Sequence, residues 1–197
     1  KSRDYIVGTL PANDPHLGFS APVIWYMARI MTPDALLVGA TAPGLPLLVI
    51  GSNGHVAWGF TTTHSDTQDL YEERISPDDP GMYLAPGGWQ KIQVRHETIK
   101  VNGAADQAVD VRTTRHGPII SDLDPDRYLH RTFALSWTGF APEDHTPEAF
   151  LEMNRAADAA AFKAALRNFH SPQQNVVYAD ADGHIGFVAA GRVPVRR

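Results

Sequence analysis

The sequence predicts an α+β fold in which a mainly antiparallel sheet system is joined late in the chain by helices. Three observations carry this: Asn-Gly or Asp-Gly pairs sit between β-rich runs at three places, helix-start signals gather after residue 145, and 43% hydrophobic against 20% charged residues is the balance of a packed domain. The run Val23 to Ile30, rich in β-branched and aromatic residues, reads as a strand. The apolar run Leu45 to Ile50 and the segment Val56 to Thr62 flank Asn53-Gly54, and both turn residues tolerate the positive φ that a tight hairpin demands. The same signal recurs at Asn102-Gly103 after Ile99-Lys100-Val101, and at Asp182-Gly183 between Val176-Val177-Tyr178 and Ile185-Gly186-Phe187-Val188. Thr146-Pro147-Glu148 supplies an N-cap, a first-turn proline and an early acid before Phe150, Leu151 and Met153. Asp158 then caps a second helix whose Phe162, Leu166 and Phe169 recur at helical spacing and face the sheet.

No repeat, low-complexity stretch or Ser/Gly linker interrupts residues 1–197, which read as a single unit. A net charge of -5 without any basic stripe excludes a nucleic-acid partner, since phosphate binding wants concentrated positive charge. The absence of cysteine excludes disulfides, thiolate catalysis and Cys-ligated zinc. No apolar run reaches the ~18 residues of a membrane span, and no signal peptide opens the chain. A start at Lys1 and a stop at Arg197, just after strand-like residues, lead to the expectation of a piece of a longer polypeptide.

Taken alone, the residues offer no complete catalytic site: the nine histidines are scattered, and neither H-E-x-x-H nor G-x-S-x-G occurs. Two segments have chemical content. Asn13-Asp14-Pro15-His16-Leu17-Gly18 sets polar groups in a rigid turn, which is either a ligand-facing loop or an ordinary Asx turn with a surface histidine. His64-Ser65-Asp66-Thr67-Gln68-Asp69 sets two carboxylates three apart, which is either a solvated acidic loop or part of an oxygen cage for calcium, a cation that takes about six to eight oxygen ligands. The four tryptophans read as core or hairpin packing.

Ala12 to Leu17, Gly39 to Pro46, Ile50 to Gly59, Asp66 to Tyr71, Arg115 to Ile119 and Val177 to Gly186 together resemble, in order and spacing, the N-terminal part of the β-subunit of penicillin acylases, a family that also holds cephalosporin and acyl-homoserine-lactone acylases. The resemblance spans nearly the whole chain. It implies a fragment of the N-terminal-nucleophile hydrolase αββα sandwich, an amide hydrolase made as a precursor (zymogen) and exported to the periplasm or secreted. The implied partners are the α-subunit and the remainder of the β-subunit, with a small N-acyl amine as substrate. In the family the nucleophile is the serine that opens the β-subunit, and its own α-amino group, with pKa near 8, serves as base through a water. That serine would lie about seven residues before Lys1, so this polypeptide by itself is expected to be inert. The family's asparagine and arginine at the oxyanion hole would lie beyond Arg197.

Residue by residue, the resemblance makes His16 the group that holds the serine's amino end, and Thr62 an oxyanion-hole donor through its backbone N–H. Leu17, Ile50 and Phe60 become walls of the acyl pocket, where aliphatic residues in place of aromatic ones permit aliphatic acyl chains. Asp66, Gln68 through its carbonyl, Asp69 and Pro194 through its carbonyl match a structural calcium site. Two other readings compete: a non-catalytic calcium-binding or ligand-binding module on the same scaffold, and a metal-dependent hydrolase built on His64, Asp66 and Asp69.

Overall fold

The computed structural model describes residues 12, 13, 18 and 20–196. In chain order it opens with β1 (Tyr26–Met31), β2 (Leu36–Thr41), β3 (Ile50–Ser52) and β4 (Val56–Thr62), then β5 (Gln68–Glu72), β6 (Met82–Ala85), β7 (Gly88–Lys91), β8 (Gln93–Ile99), β9 (Gln107–Thr114), β10 (Gly117–Pro118) and β11 (Phe133–Trp137). Helices α1 (Thr146–Arg155) and α2 (Ala159–Ala165) follow, and β12 (Gln174–Asp180) with β13 (Ile185–Ala190) ends the chain. The contacts divide it into two compact units, one of the described residues up to Ser65 with those from Ala141 on, the other Asp66–Phe140. The sequence reads as one unit because the chain passes between them without a Ser/Gly tether.

In the first unit, six strands form one antiparallel sheet in the order β1-β2-β3-β4-β12-β13. Alternation along β4 and β12 sends Val56, Trp58, Phe60, Val176 and Tyr178 to one face, where Met153 of α1, Phe162 of α2 and Leu166 and Phe169 just after α2 close the core. The aromatic rings interlock, with Phe162 5.5 Å from Trp58 and 5.1 Å from Tyr178, and Phe169 5.8 Å from Phe60. The other face carries exposed apolar side chains, among them Met27, Met31, Val38, Val177 and Phe187. The three turn signals make the hairpins β3–β4, β8–β9 and β12–β13, with Gly54, Gly103 and Gly183 all at positive φ.

Two features depart from the sequence reading. Of the apolar run Leu45 to Ile50, only Ile50 joins a strand. The buried Asn154 of α1 takes both backbone groups of Leu48, accepting its N–H (2.8 Å) and donating to its carbonyl (2.9 Å). Val49 donates to Ala40 and accepts the Trp58 indole N–H (2.8 Å). With four main-chain groups satisfied this way, residues 48 and 49 have no need of a ladder. Thr146 is not the N-cap of α1 but its first residue; Asp144 accepts the Thr146 N–H (3.0 Å) and hydroxyl (2.6 Å), and the freed Thr146 hydroxyl oxygen accepts from His170 and Ser171. Asp158 caps α2 through the Ala161 N–H (2.7 Å), as the sequence predicts.

The second unit is built of small antiparallel pieces: β10-β9-β8, β11-β5 and β6-β7. Tyr83, Ala85, Ile92 and Ile119 form its core. The buried Glu73 accepts from the Thr114 hydroxyl (2.6 Å) and lies 2.8 Å from His116 Nδ1, while the His116 ring stacks on Tyr71 at 3.9 Å.

Asn154 should be the most sensitive polar residue of the first unit. Asn154→Ala leaves the fully buried Leu48 with an N–H and a carbonyl unsatisfied, a cost of about 2–4 kcal/mol. A shift of the urea midpoint of the complete enzyme measures it, and a midpoint equal to wild type contradicts the assignment.

Candidate functional site

Gly39 of β2 faces Gly51 of β3, and the two approach so closely that a Cβ on Gly51 would lie 2.4 Å from the Val38 carbonyl oxygen and 2.8 Å from the Gly39 Cα. Side chains at either position would push the strands apart. β3 therefore follows β2, pairing with it through Ile50, while its register with β4 ends at Gly51 opposite Trp58. Beyond that point β3 and β4 part.

A cavity of about 580 Å³ fills the space where they part, all of it within the first unit. Its apolar wall is Val49 and Ile50 after the parting, Phe60 of β4, Phe150 of α1, Phe169 after α2, and Trp25 and Leu45 from loops. The size suits a small organic ligand, and the wall suits an alkyl or aryl group. Its polar side is Thr61, Thr62, His64 and Gln174, with Asn13 packed on Gly59. Asn13 Nδ2 and Trp25 Nε1 are buried without a hydrogen-bond partner among the described residues.

The backbone of β4 adds a directed group. The Thr63 N–H donates to the Gln173 carbonyl (3.5 Å), which makes Thr62 and Gln174 a pair without mutual hydrogen bonds in the β4–β12 ladder. The N–H of Thr62 thus turns from β12 toward the edge that β3 has left, where the cavity lies. The Thr62 carbonyl accepts from Asn175 Nδ2 (3.3 Å), so among the described residues the N–H is the group left over for a ligand oxygen.

Ile50, Phe60 and Thr62, singled out in the sequence, are thus brought together at one cavity, and Asn13 joins them. His16 and Leu17 lie outside the described residues. Asp66, Gln68 and Asp69 belong to the second unit, Pro194 to the first. Gln68 falls opposite Trp137, and the Thr138 N–H bond to the Thr67 carbonyl (3.3 Å) makes that pair a non-hydrogen-bonded one. The Gln68 carbonyl consequently points off the outer edge of β5, between two carboxylates in sequence, and that donor set suits a hard cation. The sequence reading missed Trp25 and Gln174 and assigned Phe150 and Phe169 to helix packing alone; helical periodicity marks them as buried, but not as the lining of a cavity.

Among the described residues, three side-chain ligand atoms come within 4.8 Å of one another at Asp180, Asp182 and His184, and not at His64, Asp66 and Asp69, so the metal-hydrolase arrangement finds no support. The Asp180 carboxylate is already saturated. It accepts the N–H groups of Ala159 (3.1 Å), Asp182 (3.1 Å) and His184 (2.8 Å) and lies 2.9 Å from His184 Nδ1, which makes it a turn and helix-end anchor. Burial pushes its pKa up, but the His184 ring, the N–H bonds and the imidazolium charge outweigh that and bring it down to about 2. The same bond to Asp180 raises the pKa of His184 above 6.5.

The family model described as penicillin amidase matches residues 8–197. An acyl-homoserine lactone acylase, QuiP, of Pseudomonas aeruginosa is 33% identical over 198 residues, covering 96% of this chain and 23% of its own length. Penicillin G acylase of Escherichia coli is 30% identical over 203 residues, covering all of this chain and 23% of its own. A solved structure, thermostable penicillin G acylase from Alcaligenes faecalis, superposes with a TM-score of 0.76 at 26% identity over 90% of this chain and 31% of that one. This chain spans about a quarter of the curated relatives' length, and its α+β fold of mainly antiparallel strands is that of part of an N-terminal-nucleophile hydrolase. The chain belongs to the penicillin amidase family.

The Asp180–His184 pair should titrate as a unit with opposite signs. The contribution of His184 is complete below pH 6.5 and is lost as pH rises through its raised pKa; that of Asp180 is complete above pH 3.8 and is lost as pH falls toward about 2. Their joint stabilisation is greatest between about pH 4 and 6.5. An NMR titration should place the His184 midpoint above 6.5, and Asp180→Asn should bring it down; no difference between the two contradicts the pairing.

Proposed function

We propose that this member of the penicillin amidase family is the acyl-binding part of an enzyme that hydrolyses an N-acyl amine, such as an acyl-homoserine lactone or a β-lactam amide, through an acyl-serine intermediate. The observation that carries the reading is an apolar cavity bordered by a main-chain N–H with no place in the ladder. Val49, Ile50, Phe60, Phe150 and Phe169 take the acyl group, and the aliphatic share of that wall fits an alkyl chain.

In this reading the attacking group is the serine that opens the β-subunit in the family. Its oxygen attacks the amide carbon while its proton passes through a water to its own α-amino group. The carbonyl electron pair moves onto oxygen, and the Thr62 N–H donates to that oxyanion. The C–N bond then breaks, its electrons and the stored proton leave with the amine, and an acyl ester remains. Water attacks the ester by the same route, which frees the acid and returns the proton to serine. His16 holds the amino end of the serine and Leu17 adds to the acyl wall. The α-subunit and the rest of the β-subunit, cut from the same precursor, complete the site, and the enzyme works in the periplasm or outside the cell. No helix among the described residues is long and apolar enough to cross a membrane.

A structural calcium would be held by the Asp66 and Asp69 carboxylates and the Gln68 carbonyl, where it would neutralise two like charges at the start of β5.

Two outcomes test these readings. In the complete processed enzyme with an N-acyl-homoserine lactone, Thr62→Pro removes the N–H without breaking a β12 ladder bond and should lower kcat by about 10²–10³-fold, while Thr62→Ala keeps the N–H and should lose far less. Absence of turnover in the wild-type enzyme, or equal losses in both variants, contradicts the proposal. Metal analysis should find one calcium per molecule in the wild type and a lower content in Asp66→Asn; equal content in both removes the calcium.

A further inference from the structure

His64 is the one ionisable side chain that lines the cavity among the described residues. It follows the end of β4 and is held at φ 53°, a left-handed conformation that side-chain-bearing residues rarely adopt. The surrounding loop fixes it there. The His64 N–H reaches the Thr62 hydroxyl oxygen (3.4 Å), the Ser65 N–H donates to the Thr63 hydroxyl oxygen (3.2 Å), and the Thr63 and Ser65 hydroxyls bond each other (2.7 Å). Residues in sparsely populated backbone regions cluster at ligand sites, and His64 combines such a conformation with a place on the cavity.

Its position along the chain says what that use is. Phe60, with Phe150 and Phe169 around it, is the apolar end of the cavity. Two residues on, about 7 Å of extended backbone, stands Thr62 with its outward N–H. His64 stands two residues further on, and with Thr61, Thr62 and Gln174 it contributes to the polar side of the cavity. If the acyl oxygen sits at Thr62 and the acyl chain runs to Phe60, the amine side of the scissile bond lies toward His64.

We infer that His64 is a specificity residue for the leaving amine, hydrogen-bonding an oxygen acceptor that the amine carries next to the amide, such as a lactone carbonyl or a carboxylate. The inference rests on the acylase reading and adds to it the half of the substrate that the apolar wall does not address. An exposed imidazole at this rim serves amines with an acceptor and gives nothing to purely hydrocarbon amines.

The test uses the complete processed enzyme and two substrates with the same acyl chain, an N-acyl-homoserine lactone and the N-acyl cyclopentylamine, which has a similar ring and no acceptor. His64→Leu should lower the lactone-to-cyclopentyl ratio of kcat/KM by about five- to tenfold, with the loss mainly in KM for the lactone. His64→Gln should restore much of the ratio. His64→Gly relieves the backbone and should hold or raise Tm while the ratio still falls, a split that a merely structural histidine would not produce. A ratio that stays at the wild-type value in His64→Leu and His64→Gly, with both substrates turned over, overturns the role of His64 and leaves the acylase reading intact. No turnover of either substrate by the wild-type enzyme overturns the acylase reading, and this inference with it.

Discussion

The parting of β3 from β4 is the constraint on which the site depends. Two neighbouring strands stay zipped unless something else satisfies the backbone groups that the zipper would use. Here Asn154 takes Leu48 at both ends, the Trp58 indole takes the Val49 carbonyl, and β2 takes the Val49 N–H. None of these bonds touches the cavity as a ligand contact, yet without them the strands would close over it. The Thr62 N–H has a free edge to face because two side-chain amide bonds and one indole bond hold its neighbour strand away.

Much of the fold is legible in the sequence because its turns are chemical signals. Asn53-Gly54, Asn102-Gly103 and Asp182-Gly183 each sit where a hairpin reverses, and Asp158 caps the helix it precedes. The errors share one physical cause, a long-range partner that overrides a local pattern. Leu45 to Ile50 has the composition of a strand, but the amide that claims Leu48 arrives from 106 residues away. Thr146 has the composition of a cap, but its hydroxyl serves His170 and Ser171 instead. Ile50, Phe60 and Thr62 are singled out in the sequence only through the resemblance, and the structure places them on one cavity with Trp25, Phe150 and Phe169, which the sequence does not single out. They converge on the cavity from separate segments, and nothing in helical or strand periodicity distinguishes a side chain facing a void from one facing a core.

The buried acids show a division of labour. Asp180 and Glu73 are each surrounded by donors and anchor a hairpin and a helix end in one unit, and a threonine and a histidine in the other. The cavity receives no carboxylate at all from the described residues. Charge is thus used for architecture, while the site relies on apolar shape, main-chain polarity and one imidazole. The main-chain contact at Thr62 depends little on the side chain carried there, since a backbone N–H is supplied by any residue but proline.

Gly39 and Gly51 face each other at the β2–β3 seam and are not among the residues that line the cavity. Their missing side chains let β3 pair closely with β2, while Gly51 keeps its place opposite Trp58 of β4. A side chain at either position would displace β3, and with it Val49 and Ile50 of the cavity wall, without itself lining the cavity. A directed-evolution library confined to the cavity wall would omit this pair. Comparison of substrate range across relatives gains correspondingly from reading the β2–β3 seam as part of the specificity code.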